Sequence, residues 1–142
     1  ARDKVRIAHL EQANVALHIY ATTNGTYHIA GSGSGGSGIG WFSYEGAGYP
    51  NSIAEALVEE DLLTEVLHDP LIDANAVANG AQRAYMRYFT NGGATSGSCM
   101  FAKLENPNTD QKATIEAAPI STALRDALKN TYFMNYASCV GD

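Results

Sequence analysis

The feature that most constrains the fold is the first stretch of the chain, residues 2–20, which contains no glycine or proline. Its apolar residues recur every three or four positions, at Ile7, Leu10, Ala13, Leu17 and Tyr20. This spacing predicts one amphipathic α-helix, with charged residues such as Arg2 and Glu11 on the other side. Such a helix is roughly 28 Å long, enough to back a whole small domain.

The two ends of this helix carry different signals. Thr22-Thr23-Asn24-Gly25 ends it, because Asn-Gly tolerates the left-handed conformation that caps a helix. Asn24-Gly25-Thr26 also fits the N-glycosylation pattern, but we interpret it as the helix-ending turn. No start signal precedes Ala1-Arg2-Asp3-Lys4, so we expect the natural helix to extend upstream of Ala1.

The rest of the chain alternates between turn, helix and strand signals. Ser52 and Glu55 have capping-box spacing ahead of a second helix, which ends by His68 because Asp69-Pro70 disfavours helical geometry. Further predictions are strands at 83–90 and 99–105, short helices at 109–117 and 121–130, and a last strand at 131–139. The two earlier strands flank a glycine-containing loop and are expected to pair antiparallel. This order predicts an α+β fold, with a long N-terminal helix packed on a small antiparallel sheet.

Residues 31–38 consist only of glycine and serine. This composition offers no large side chains to pack, and it predicts a mobile loop. An inserted linker is the alternative, although the aromatic residues Trp41, Phe42 and Tyr44 that follow would anchor a natural loop to the domain.

Composition narrows the class of protein. The chain has 142 residues, of which 45% are hydrophobic and 17% charged, so it can bury a single core without a metal or a dense disulfide framework. Its net charge of -6 repels a phosphate backbone and disfavours nucleic-acid binding. No stretch approaches the roughly 20 apolar residues that span a bilayer, and the N-terminus lacks the pattern of a signal peptide.

Motifs for catalysis or cofactor binding lack the context that they require. Gly31-x-Gly33-x-x-Gly36 matches the dinucleotide fingerprint, but no strand precedes it and no helix follows it. The histidines are scattered, and no nucleophile elbow, phosphate-binding loop or EF-hand is present. We interpret Asp61, Asp69 and Asp73 as solvated residues around a turn. The sequence therefore predicts no catalytic residues, no cofactor and no metal site.

The two cysteines, Cys99 and Cys139, leave two interpretations open. They are either buried free thiols or a single disulfide that closes a loop of about 40 residues. The disulfide requires a location outside the cytoplasm.

The opening stretch resembles type IV pilins and pseudopilins just after their hydrophobic N-terminal segment. The residues that carry this resemblance are Ala1-Arg2-Asp3, Arg6-Ile7-Ala8, Leu10, Gln12, Ala16-Leu17, Tyr20 and Asn24-Gly25-Thr26-Tyr27. Members of this family have a basic, amphipathic half-helix that ends in an Asn-Gly-x-Tyr turn. The segments Tyr44-Glu45-Gly46, Leu62-Leu63 to Asp69-Pro70 and Met134-Asn135-Tyr136-Ala137 are similar to the pilin globular head.

The resemblance implies a pilin-like fold whose C-terminal region is stapled by a disulfide, here between Cys99 and Cys139. It divides a single domain, 1–142, into a spine helix at 1–21, a variable loop region with a short helix at 22–82, and an antiparallel sheet with the C-terminal region at 83–142.

The resemblance also implies a function, that of a structural subunit in an extracellular filament on the bacterial surface, used for adhesion, motility or DNA uptake. Such a subunit is not an enzyme and has no small-molecule substrate. Its partners are identical or related pilins, contacted through the spine helix at Arg2, Arg6, Leu10 and Leu17, and the inner membrane before assembly. The membrane contact uses an apolar half-helix that is absent from these 142 residues. A pseudopilin of a type II secretion system, or a minor pilin that binds DNA or a surface, is the alternative.

Overall fold

A computed structural model of the chain describes residues 1–71 and 84–141. In chain order the elements are α1 (Arg2–Asn24), a 3-10 turn (Ser34–Gly36), β1 (Gly40–Trp41), α2 (Ile53–Glu59), β2 (Met86–Phe89), β3 (Gly97–Ala102), α3 (Thr109–Ala117), α4 (Thr122–Asn130) and β4 (Tyr136–Gly141). The predicted fold class is confirmed, because a long N-terminal helix packs on a four-stranded antiparallel sheet.

The sheet has the strand order β1-β2-β3-β4, and helices cover both of its faces. All six residues of β3 are buried, and successive side chains point to opposite faces. Met100 and Ala102 join the core formed with α1 and α2, whereas Cys99 and Phe101 join the core formed with α3 and α4. The domain therefore has three layers, with β3 in the middle.

Helix α1 ends as the Asn-Gly turn predicts. It continues through Asn24, and Gly25 takes the left-handed conformation (φ 78°) while its amide donates to the carbonyl of Ala21. The helix therefore extends three residues beyond the end of the predicted spine at 1–21.

The strands and helices that follow differ from the predictions mainly at their ends. The Oγ of Ser52 accepts a hydrogen bond from the amide of Glu55, as the capping signal predicts. Helix α2 stops at Glu59, because Asp61 has a left-handed backbone (φ 59°) that turns the chain. β4 begins only at Tyr136, so the predicted strand at 131–139 is wrong over its first residues, where Phe133 is also left-handed (φ 59°). The predicted strand at 83–90 corresponds to β2, and residue 83 lies outside the described residues.

The glycine-serine run is an ordered loop, so the prediction of a mobile loop is wrong. Gly33 has φ 79° and ψ -168°, and a Cβ at this position would lie 2.7 Å from the carbonyl carbon of Gly38. Only glycine fits there. Backbone hydrogen bonds hold the run to the segment that follows it, from the amide of Gly33 to the carbonyl of Asn51 and from the amide of Gly35 to the carbonyl of Gly48.

Arg87 on β2 also holds this loop. Its fully buried guanidinium donates to the carbonyls of Gly38 and Tyr27 and to the Oγ of Ser98, and it lies 4.4 Å from the ring centroid of Phe89. Burial lowers the pKa of Arg87 to about 9, because the charged form loses its hydration. The three acceptors come from three parts of the chain, so this side chain joins the loop to the sheet.

A disulfide joins Cys99 on β3 to Cys139 on β4, as the resemblance implies. The two residues are direct partners in the strand register, with their Cα atoms 4.0 Å apart. The bridge therefore fixes the edge strand β4 to the centre of the sheet.

Candidate assembly surface on helix α1

The first turns of α1 are attached to the domain by a cluster of charged side chains. Arg6 is fully buried, and its guanidinium donates two hydrogen bonds to the carboxylate of Asp69, at 2.7 and 3.0 Å. A further nitrogen donates to Asp3 at 2.7 Å and to Glu105 at 2.8 Å. Arg2 donates twice to the same Glu105, at 2.6 Å, although its own side chain is 52% exposed. Helix α1 is thereby connected to the segments that contain residues 69 and 105.

The acidic residues assigned to a solvated turn have different positions. Asp61 is exposed, as expected, and Asp73 lies outside the described residues. Asp69 is buried, so the interpretation of this residue as solvated is wrong. Its carboxylate can be buried because the guanidinium of Arg6, from a distant part of the chain, supplies a compensating charge.

The ionisation of this cluster follows from these contacts. Burial works against the charge of Arg6, but hydrogen bonds to Asp69, Glu105 and Asp3 outweigh it, so the pKa of Arg6 is raised. Hydrogen bonds from Arg2 and then from Arg6 lower the pKa of Glu105 to about 2. For Asp3, burial acts in the opposite direction, yet the amides of Glu105 and Asn106 and the contact with Arg6 lower its pKa below the ordinary value. Arg6, Glu105 and Asp3 are therefore charged at neutral pH.

This arrangement corrects part of the predicted subunit contact. Of the four residues assigned to it, Arg2 is exposed, whereas Arg6, Leu10 and Leu17 are completely buried inside the chain. The assignment of Arg6 to the outer side is wrong because its partner Asp69 is 63 positions away in sequence, and helical periodicity gives no information about it. Leu10 and Leu17 pack in the core between α1, α2 and the sheet. We call the buried apolar residues of α1 the core stripe: Leu10, Ala13, Ala16 and Leu17.

A second line of residues runs along the outside of α1. Val5, Val15 and Ile19 are large apolar residues in exposed positions, and Val15 is 61% exposed. Ala8 and Gln12 lie between them and are also exposed. We call Val5, Ala8, Gln12, Val15 and Ile19 the outer stripe. Their spacing of three, four, three and four residues is that of the contact positions in a coiled coil, and it places the outer stripe away from the core.

Two grooves flank the outer stripe. The first depression, which we call the α1–α2 groove, has a volume of about 550 Å³. It lies between α1 and residues 62–64, the segment that follows α2, with Ala8, Val15, Ala16, Leu62 and Leu63 among its lining residues. The α1–β4 groove has a volume of about 410 Å³ and lies between α1 and the edge strand, with Val15, Ile19 and Val140 among its lining residues. Both grooves are also lined by Glu11. The outer stripe is therefore a ridge between two shallow apolar depressions, a shape that accepts the side chains of another helix.

The edge strand beside the second groove is attached to α1. Asn14 projects from α1 and its amide nitrogen donates to the carbonyl of Ser138 at 2.9 Å and to the Oγ of Ser138 at 3.0 Å. This side chain therefore joins the middle of α1 to β4.

The two histidines of α1 make tertiary contacts. Nδ1 of His9 lies 2.8 Å from the hydroxyl of Tyr85, and Nδ1 of His18 lies 2.9 Å from the hydroxyl of Tyr27. Burial lowers the pKa of His9. Within residues 1–71 and 84–141, no group of three or more histidine, cysteine or acidic side chains is arranged to hold a metal ion.

The outer stripe is not among the sequence predictions, although its spacing is visible in the sequence. The stripe contains Ala8 and Gln12, and the charged residues Lys4 and Glu11 lie next to it in the sequence, so the outer side of the helix looks polar beside the leucines of the core stripe. The signal that could have found it is the spacing of three, four, three and four residues from Val5 through Ala8, Gln12 and Val15 to Ile19, in which every residue is uncharged.

The fold and this surface define a class: an α+β domain with a long N-terminal helix that is apolar on two sides. Comparisons with protein-family models, with curated proteins and with solved structures found no match for this chain. In the two described segments, no helix is both long enough and apolar enough to cross a membrane.

Proposed function

We propose that this protein is the structural subunit of a type IV pilus-like filament on the bacterial surface. The observation that carries the proposal is the outer stripe, because a monomer gains nothing from exposing valine and isoleucine at coiled-coil spacing along its longest helix. The neighbouring subunits of a filament would cover these residues.

The energetics of such a contact are favourable. Full burial of a valine or isoleucine side chain contributes roughly 1.5 to 3 kcal/mol relative to full exposure. Because Val5, Val15 and Ile19 are 42%, 61% and 47% exposed, covering all three supplies roughly 2 to 4 kcal/mol per contact. Association through the outer stripe leaves the fold of each subunit intact. Helix α1 is attached to its own domain by Arg6 and by the core stripe, and neither of these belongs to the outer stripe.

Two further features support the same proposal. The Asn-Gly-x-Tyr motif has a structural role, since Gly25 caps α1 and the buried Tyr27 contacts His18. The Cys99–Cys139 disulfide suits a protein that works outside the cytoplasm. A subunit of this kind would be held in the inner membrane before assembly, act without a cofactor or substrate, and associate with copies of itself or with related pilins.

The experiment is a pair of substitutions on the outer stripe, Val5→Glu with Ile19→Glu, introduced into the full gene in its own host. Both positions are exposed, so the fold should be unchanged, whereas two buried carboxylates at a subunit contact should abolish assembly. Filaments sheared from the cells are collected by sedimentation and quantified with an antibody. Ala123→Glu, at an exposed position on α4, is the matched control and should assemble normally.

Wild-type filament yield from the Val5→Glu/Ile19→Glu variant would overturn the proposal. Immunogold electron microscopy of intact cells separates its two forms: labelled fibres that project from the surface indicate a pilus, and label confined to the cell envelope indicates a pseudopilus.

A further inference from the structure

The tripeptide Thr-Asn-Gly occurs twice in the described part of the chain, as Thr23-Asn24-Gly25 and as Thr90-Asn91-Gly92. An Asn-Gly pair is chemically reactive, because glycine has no Cβ and leaves its main-chain nitrogen open to approach the side chain of the asparagine before it. The asparagine and the glycine are exposed at both sites. Local sequence and exposure are therefore alike, and the fold is what distinguishes the two sites.

The reaction at such a pair needs only water. The main-chain nitrogen of the glycine attacks Cγ of the asparagine, and the new C–N bond closes a cyclic succinimide. The side-chain nitrogen leaves as ammonia, which carries away the proton of the glycine amide. Water then opens the ring at either carbonyl carbon and gives aspartate or isoaspartate. Each product adds one negative charge to a chain whose net charge is -6.

The fold hinders this attack at Asn24. The amide of Gly25, which would be the nucleophile, donates to the carbonyl of Ala21 at 2.7 Å, and the left-handed backbone of Gly25 (φ 78°) caps α1. The leaving nitrogen is also held, since Nδ2 of Asn24 donates to the carbonyl of Tyr20 at 3.0 Å. Attack therefore requires the last turn of α1 to open first, and only a small fraction of molecules is open at any time.

The second pair lacks both restraints. Asn91 and Gly92 are the central residues of a β-turn between β2 and β3, in which the amide of Gly93 donates to the carbonyl of Thr90 at 2.8 Å. The amide of Asn91 donates to the carbonyl of Pro119 at 2.9 Å, so the turn is attached to the domain. Within residues 1–71 and 84–141, however, neither the amide of Gly92 nor the side chain of Asn91 has a hydrogen-bond partner. Hydrogen bonds restrain neither the nucleophile nor the leaving group.

We infer that Asn91 is a modification site that converts spontaneously to aspartate and isoaspartate in the folded protein, whereas the fold protects Asn24. This inference is independent of the proposed function. Conversion adds a carboxylate to the turn between β2 and β3, and the isoaspartate form also lengthens the main chain there. A third pair, Asn79-Gly80, lies outside the described residues, and no rate is assigned to it.

The test follows the folded wild-type chain, with its disulfide intact, during storage at mildly alkaline pH. Digestion with trypsin and with a protease that cleaves after glutamate places the three pairs on separate peptides, 12–45, 66–83 and 88–103. Mass spectrometry measures the change from amide to carboxylate in each peptide, and enzymatic methylation detects isoaspartate. Asn91 should convert at least about tenfold faster than Asn24, because the hydrogen bonds at the end of α1 must break before Asn24 can react.

The matched control is the same chain in urea with its disulfide reduced. Both sites then have the same tripeptide and no fold, so their rates should become similar. Hydrogen exchange of the folded chain checks the cause, since the amide of Gly25 should exchange slowly and that of Gly92 rapidly. Thr22→Pro, at an exposed position in the last turn of α1, removes a helix donor and should raise the rate at Asn24 without changing the rate at Asn91.

Two results in the folded chain would overturn the inference: equal rates at Asn24 and Asn91, or an unmodified Asn91 after a period in which the denatured chain converts. Faster conversion of Asn91 in urea as well would also overturn it, because the difference would then come from the surrounding sequence and not from the fold.

Discussion

Replacing Arg6 with methionine removes a guanidinium but keeps a side chain of similar length at a site that excludes water. Arg6 and Asp69 both have completely buried side chains, and two hydrogen bonds join them. Without Arg6, the buried carboxylate of Asp69 loses the guanidinium that donates two hydrogen bonds to it. Removal of one partner from a buried ion pair costs about 3 to 5 kcal/mol. Asp3 and Glu105 also lose a donor, so we expect the upper part of this range.

Arg2→Met is the matched control. It is the same substitution four residues away, and Arg2 shares Glu105 with Arg6, but its side chain is exposed. Water screens such a pair, so we expect little change in stability. Urea unfolding followed by circular dichroism, with the disulfide intact, measures the free energy of unfolding of both variants. Thermal melting is a second measurement, in which each kcal/mol of lost stability lowers the melting temperature by roughly 4 °C in a chain of this size. Equal shifts for Arg6→Met and Arg2→Met would refute the argument that burial makes Arg6 important.

Three further predictions test other parts of the structure. Gly33→Ala should destabilise the fold more than Gly35→Ala in thermal melts, since a Cβ on Gly33 meets backbone at 2.7 Å and one on Gly35 meets nothing within 4 Å; equal melting temperatures would restore the mobile-loop interpretation. Replacing Cys99 and Cys139 with alanine should cost roughly 4 kcal/mol, from the loop that the bridge closes, and wild-type unfolding that is insensitive to a reducing agent would contradict this. The pKa of Glu105, lowered from 4.5 to about 2, contributes stability that is complete above pH 4.5 and is lost as the pH falls through about 2. Acid titration of Glu105→Gln should therefore show a shallower loss of stability over this interval, and an unchanged curve would refute it.

Local signals in the sequence were sufficient for most secondary structure. The stretch without glycine or proline became α1, the Asn-Gly pair became its left-handed end, and Ser52 became a helix cap. Each of these depends on contacts between residues at most four positions apart, so the sequence contains all of the necessary information. The antiparallel pairing of β2 and β3 also follows from neighbouring segments.

Contacts between distant residues could not be predicted in this way. Arg6 and Arg87 look like surface charges in the sequence, yet both are completely buried because acceptors from remote segments surround them. β1 was not predicted, since Gly40 and Trp41 form a strand only by pairing with β2, more than 40 residues later. The prediction for the glycine-serine run fails for the same reason: its composition lacks packing side chains, but its order comes from backbone hydrogen bonds and from Arg87.

The two apolar sides of α1 make different demands on the same helix. Leu10 and Leu17 are already buried by the core, so any substitution there destabilises the fold and changes assembly only as a consequence. Val15 and Ile19 contribute little to the fold of one copy, because they remain in water, and their burial is available as energy for association. An exposed apolar stripe on the longest helix is a liability for a protein that works alone, since it promotes nonspecific association. The coiled-coil spacing of the outer stripe, and its position between two grooves, support the proposal that another subunit covers it.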